Sequence, residues 1–96
     1  MTPAARLQSY LKRRTRDRQG EYRKVQWTGR RAAPDCLIDF GFPNVALVEV
    51  KAGEDRLSVL QEREIGRLRA RGWSVHVART EADIDRIVDQ MTRGAR

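Results

Sequence analysis

The chain is short of the features that build a protein for the outside of a cell or for a membrane. Its 96 residues include one cysteine and one histidine. Cys36 therefore has no intrachain disulfide partner and cannot complete a Cys/His zinc cage with His76. The longest apolar run, "VALVEV" at 45–50, is broken by Glu49 and is far too short to cross a bilayer. The opening "MTPAARLQSYLKRR" has no apolar h-region, so it does not read as a secretory signal. These absences point to an intracellular, reducing setting and to one domain with a single core over residues 1–96.

Acid is scarce in the first third. Residues 1–34 hold ten Lys and Arg against two Asp and Glu, a surplus of eight in a chain whose net charge is +7. The rest is nearly balanced. Such asymmetry suits a polyanionic partner, most economically nucleic acid, although a basic helix can also serve solubility alone.

Periodicity divides the chain into seven elements. Leu7, Tyr10 and Leu11 recur at helical spacing and predict a basic helix over 4–16. "DRQGEY" breaks it, "RKVQWT" (23–28) reads as a first strand, and "GRRAAP" (29–34) as a basic loop. "DCLIDFGF" and "VALVEVKA" read as a hairpin within 34–52. Leu57, Leu60, Ile65 and Leu68 predict a helix over 56–71 ended by Gly72, followed by a strand over 73–78. Thr80, with Asp83 three residues on, predicts the N-cap of a last helix buried through Ile84, Ile87, Val88 and Met91. Residues 92–96 are expected to fray. The order α-β-β-β-α-β-α describes a compact α/β domain on a mixed sheet of about four strands.

Two acids and a lysine lie inside the apolar hairpin. Glu49 and Lys51, two apart on a strand, share a face, and a turn near Phe42 sets Asp35 opposite Glu49. Adjacent carboxylates repel each other and would also repel phosphate, unless a cation lies between them. Mg²⁺ or Mn²⁺ suits two carboxylates supplemented by water, substrate phosphate and a carbonyl such as that of Val50. Lys51 is placed to orient water or to stabilise developing negative charge. "ExK" alone is a weak signal in a chain with 34% charged residues. "PD" at a strand start, thirteen residues, then "ExK" in a second apolar strand is far more specific. The plainer alternative is a loop-closing Asp with a Glu–Lys pair at a sheet edge.

"RKVQWTGRRAAPD", "LVEVKAGEDRLSVLQ" and "LRARGWSVHVARTEADI" together resemble the PD-(D/E)xK nuclease superfamily, more narrowly its virus-type replication-repair nuclease (VRR-NUC) family. The resemblance runs from "RLQSYL" to "DRIVDQM" and is to the stand-alone phage or bacterial type. It implies a restriction-endonuclease-like fold, with Asp35 and Glu49 as metal ligands and Lys51 as the catalytic lysine. It also implies that Gln61 reaches from the following helix toward the water or scissile phosphate, and that Lys24 is a basic residue near the active centre. Stand-alone relatives resemble Holliday-junction resolvases, homodimers that cut branched DNA with Mg²⁺ or Mn²⁺, leaving 5′-phosphate and 3′-hydroxyl ends. Two positions depart from the pattern. Ala4 stands where relatives often carry a first-helix glutamate, and Ala32 where a glycine usually precedes the PD motif.

Other polar and aromatic residues fit duller roles. His76 lacks an acidic neighbour at i±2 and reads as a sheet residue, and Cys36 as a small hydrophobe. Trp27 and Trp73 read as packing rather than base-stacking groups. Asp39 shares Asp35's face at a solvated strand end. Arg30 and Arg31, just before the PD motif, and Arg13 and Arg14 with Arg16 and Arg18 on the first helix, suit phosphate contacts that position DNA without reading its sequence. The expected function is a metal-dependent, structure-selective DNA endonuclease acting on four-way junctions as a homodimer. The rivals are a non-catalytic nucleic-acid-binding module on the same fold and a monomeric flap or nick nuclease.

Overall fold

The computed structural model describes residues 1–93. Its elements run α1 (Pro3–Asp17), β1 (Glu21–Lys24), β2 (Cys36–Asp39), β3 (Val45–Val50), α2 (Val59–Ala70), β4 (Val75–Ala78) and α3 (Glu81–Arg93). The α-β-β-β-α-β-α order is the expected one. Four strands form one mixed sheet in the order β1-β2-β3-β4. The first three are mutually antiparallel, and β3 and β4 are parallel, joined by the α2 crossover.

Alternation along the strands gives the sheet two unlike faces. Cys36, Ile38, Ala46, Val48, Val50 and Ala78 point to one side, where Leu7 and Leu11 of α1 and Ile84, Ile87, Val88 and Met91 of α3 complete the main core. Leu47 and Val75 point to the other, meeting Ile65 and Leu68 of α2, with Trp27 and Leu37 packed alongside. The second cluster is much smaller.

Local signals set the element ends. The Thr2 hydroxyl accepts from the Ala5 N–H at 3.1 Å to cap α1, and Pro3 opens the helix, where an N–H is not needed. Gly20 then turns the chain directly into β1. A Cβ there would lie 2.5 Å from the Phe40 ring, so only glycine fits the approach. Thr80 caps α3 as expected, accepting from the Asp83 N–H at 3.0 Å while Asp83 accepts from the Thr80 N–H at 3.2 Å.

Four boundaries differ from the sequence reading. β1 occupies 21–24 rather than 23–28, because beyond the Val25 N–H bond to the Asp35 carbonyl the chain peels away to bury Trp27. The Trp27 indole donates to the Pro34 carbonyl at 2.8 Å, and its ring packs edge-on to Trp73 with centroids 6.3 Å apart. α2 starts at Val59 rather than 56, at a capping box formed by Ser58 and Gln61. β4 begins at Val75 rather than 73, since the Trp73 N–H bonds back to the Leu68 carbonyl in the turn that closes α2. α3 continues through Thr92, whose hydroxyl donates to the Val88 carbonyl, and ends at Arg93; the remainder of the 92–96 tail lies outside the described residues.

Candidate active site

The hairpin register brings the acids together. Cys36 pairs with Val48 and Leu37 with Leu47, so one step further Asp35 stands opposite Glu49, as expected. The Phe40 N–H bonds to the Asn44 carbonyl at 2.9 Å, which makes 40–44 a hydrogen-bonded pair. Such pairs alternate with non-bonded ones. Asp35–Glu49 is therefore a non-bonded pair, the kind in which side chains come closest, with Cβ atoms about 4.5–5.5 Å apart.

The same alternation explains the proline of the PD motif. Val50 faces Pro34 across the strands at a position of the hydrogen-bonded kind. Pro34 has no N–H to offer the facing strand, so it cannot donate to the Val50 carbonyl.

Around these oxygens lie Lys24, Lys51 and Gln61. Lys24 Nζ donates to Asp35 Oδ2 at 2.9 Å. The Lys51 backbone is pinned to β4 through the Ala78 carbonyl at 2.9 Å, and its side chain shares Glu49's face by strand alternation. Gln61 Nε2 donates to Glu49 Oε2 at 3.2 Å while its Oε1 accepts from the Ser58 N–H at 2.9 Å. One side chain therefore both caps α2 and touches the site. Burial raises the Glu49 carboxyl above its ordinary range, and the charge of Asp35 raises it further; Lys51 and Lys24 oppose the shift. Burial works against charging Lys24, yet the hydrogen bond to Asp35 and the nearby carboxylates hold its ammonium above the usual value.

The donor set fits a hard divalent cation. Two facing carboxylates present oxygen alone, the preference of Mg²⁺ and Mn²⁺. Among the described residues no cluster of three or more His, Cys, Asp and Glu forms, and the first turn of α1 holds no acid. The remaining ligands are left to water and phosphate. The Lys24–Asp35 pair is about half exposed on both sides. Such pairs are worth about 0–1 kcal/mol, so Lys24 can yield its place to a dication at little cost.

Comparison with known proteins bears on the same residues. The family model for the VRR-NUC domain matches residues 4–82, which includes Asp35, Glu49, Lys51 and Gln61. The chain belongs to the VRR-NUC family. A solved structure described as a VRR-NUC domain superposes with a TM-score of 0.84 at 32% identity, covering 93% of this chain and 97% of the other. No curated protein matches the sequence. A VRR-NUC domain is a nuclease fold of a generally metal-dependent family, which implies DNA as the partner. Among the described residues no helix is long and apolar enough to cross a membrane.

The remaining expected site residues scatter over the VRR-NUC domain. Arg30 and Arg31 lie on an exposed loop beside α2. Arg13 stacks over the Tyr10 ring at 5.1 Å. Arg14, expected at a DNA contact, bonds through Nε to Asp85 of α3 at 3.1 Å and meets Asp17 through Nη1 at 3.4 Å. Arg18 is likewise tied to Asp89 and Thr92. These two arginines clip α1 to α3. His76 faces the opposite side of the sheet, beside Val48, with its pKa lowered by burial and by Arg69 and Arg86. Asp39 accepts from the Gly41 N–H at 2.8 Å and serves the turn. Burial, first of all, pushes the Cys36 thiol up to about 11, which disfavours the nucleophilic thiolate at neutral pH.

Ala32 takes the left-handed conformation at φ 63° despite its side chain. The loop keeps the shape a glycine would give it and bears the strain instead. Glu64 escaped the sequence reading altogether: it is buried on α2 against Arg67. The only available signal was an acid three residues before an arginine on one helix face.

Proposed function

We propose that the chain is a Mg²⁺- or Mn²⁺-dependent endodeoxyribonuclease that hydrolyses phosphodiester bonds in branched DNA, with the four-way junction as its substrate. The observation that carries this reading is the facing pair Asp35 and Glu49, with Lys51 on the same face and Gln61 bonded to Glu49. Asp35, Glu49 and the Val50 carbonyl hold the cation, which when bound supplies Lewis acidity toward a phosphoryl oxygen. Lys51 lies beside the scissile phosphate and offsets the charge that grows on it. Gln61, fixed at both ends of its amide, orients the attacking water from the first turn of α2. Lys24 leaves Asp35 and turns to the DNA backbone, and Arg30, Arg31 and Arg13 extend the basic footprint. A four-way junction presents two symmetry-related strands, so a two-fold homodimer delivers paired cuts.

The test uses purified protein with an end-labelled immobile four-way junction and linear duplex of matching sequence, in Mg²⁺, in Mn²⁺ and in EDTA. Paired incisions near the branch that require metal and disappear in Lys51→Ala support the proposal. Binding without cutting in either metal would remove the enzyme and leave a nucleic-acid-binding module. Cutting of flaps or duplex but not the junction would keep the chemistry and reject the junction.

A further inference from the structure

Beside the site, Arg30 and Arg31 from the loop and Arg63 and Arg67 from α2 line a cleft of about 310 Å³ around Glu64. Four guanidinium groups around one carboxylate leave a surplus of three positive charges in that cleft. Arg31 and Arg63 are exposed and form no ion pair among the described residues. On α1, by contrast, Arg14 and Arg18 are neutralised by acids of α3. α1 also carries Arg6, Lys12, Arg13 and Arg16 outside any ion pair among the described residues, but only the cleft gathers arginines from two elements around one buried carboxylate.

Glu64 accounts for how the cluster is held. Its side chain is 8% exposed, and a single oxygen, Oε1, meets Arg67 Nη1 at 3.1 Å and Arg30 Nη1 at 3.8 Å. A buried carboxylate is costly unless paired, so these contacts draw the loop arginine and the helix arginine to one point. Both arginine side chains remain about half exposed, at 52% and 53%, and each guanidinium has five N–H donors of which Glu64 engages one nitrogen's. Fixing two long side chains in advance lowers the entropy lost when they bind.

We propose that Arg30, Arg31, Arg63 and Arg67 form a cradle for backbone phosphates flanking the scissile one, preset by the positioning residue Glu64. This deepens the nuclease reading and rests on it for its ligand. Arg63 and Arg67 stand four residues apart on one face of α2, about 6 Å at 1.5 Å per residue. A DNA strand advances about 3.4 Å along the helix axis per phosphate, so the pair spans about two phosphates.

The test is the salt dependence of binding, read by fluorescence anisotropy of full-length protein on labelled junction and duplex in EDTA. Removing one phosphate contact lowers the slope of log K against log salt by about 0.9. Arg63→Ala/Arg67→Ala is expected to lower it by about two, with affinity at moderate salt falling 10- to 100-fold. Arg86→Ala/Arg93→Ala on α3 removes the same charge elsewhere and is expected to leave the slope unchanged. An unmoved slope in the first pair, or equal losses in both, overturns the cradle. Glu64→Gln removes a negative charge, so simple electrostatics demands tighter binding whereas a positioning role demands weaker binding; tighter binding refutes that role. The two proposals fail separately. Binding with the expected slope change but no cleavage in Mg²⁺ or Mn²⁺ overturns the enzyme and keeps the cradle, cleavage with an unmoved slope does the reverse, and absence of binding overturns both.

Discussion

Gln61→Glu separates the two jobs of one side chain. Oε1 accepts from Ser58 at the cap and Nε2 donates to Glu49; the substitution keeps the first and reverses the second. At the cap, a carboxylate in the first turn of α2 gains about 0.3–1 kcal/mol from the helix dipole. At the site, two carboxylates meet where a donor and an acceptor now lie 3.2 Å apart. Two unit charges at that distance repel by about 5 kcal/mol at an effective dielectric of about 20. Gln61 is half-exposed, so swinging outward into water leaves about 2–3 kcal/mol. The net loss of about 2 kcal/mol corresponds to a Tm lower by roughly 8–15 °C for a domain of this size. The assay is thermal melting by circular dichroism, in EDTA and in saturating Mg²⁺ or Mn²⁺. With metal, the added carboxylate becomes a further oxygen donor and most of the loss is recovered. Gln61→Ala loses the cap acceptor and the donor to Glu49 together, about 2 kcal/mol, and adds no oxygen for a metal to recover. A Gln61→Glu protein as stable as wild type in EDTA, or one indifferent to metal, would mean that Gln61 does not meet Glu49 in solution.

Three further outcomes follow from the same geometry. Because the native Glu49 carboxyl titrates above its unfolded value, its contribution is intact at pH below the ordinary carboxylate range and is lost as pH rises through the raised value. Melts in EDTA should therefore show Glu49→Gln gaining on wild type across that window while losing cleavage; parallel pH curves would contradict the shift. Ala32→Gly relieves left-handed strain of about 1–2 kcal/mol against an added chain-entropy cost of about 0.5–1 kcal/mol, so denaturant melts should show a gain of about 0.5–1 kcal/mol, and a loss would mean that the loop is not left-handed there. Leu11→Ala, at a position with no exposure, should cost about 2–5 kcal/mol in urea titrations; a cost under about 1 kcal/mol would place α1 off the core.

The β2–β3 hairpin was legible because strand alternation and a turn between two apolar runs fix faces and register together. Asp35, Glu49 and Lys51 fell on one face from that pattern alone, and Gln61 followed from the resemblance. What escaped notice depends on contacts remote in sequence. Arg14 and Arg18 look like any exposed arginines on an amphipathic helix until α3 presents Asp85 and Asp89 more than seventy residues later. Trp27 alternates like a strand residue, yet its indole meets the Pro34 carbonyl and its ring meets Trp73, so β1 ends early. The start of α2 was written locally, in the spacing Ser-x-x-Gln at 58–61, but a reading based on leucine periodicity passes over it.

The opposed faces of β2 and β3 also govern how this lineage can change. Asp35, Glu49 and Lys51 share the α2 side of the sheet because each stands an even number of residues from Leu37 or Leu47, while Cys36, Val48 and Val50 fill the main core on the other side. One residue gained or lost within either strand would turn the acids into the main core and the valines onto the α2 side. Exchange of side chains is open to these strands, but a change of length is not. Residues 29–33 and 52–57 lie outside the ladder, where the backbone can lengthen without moving the acids.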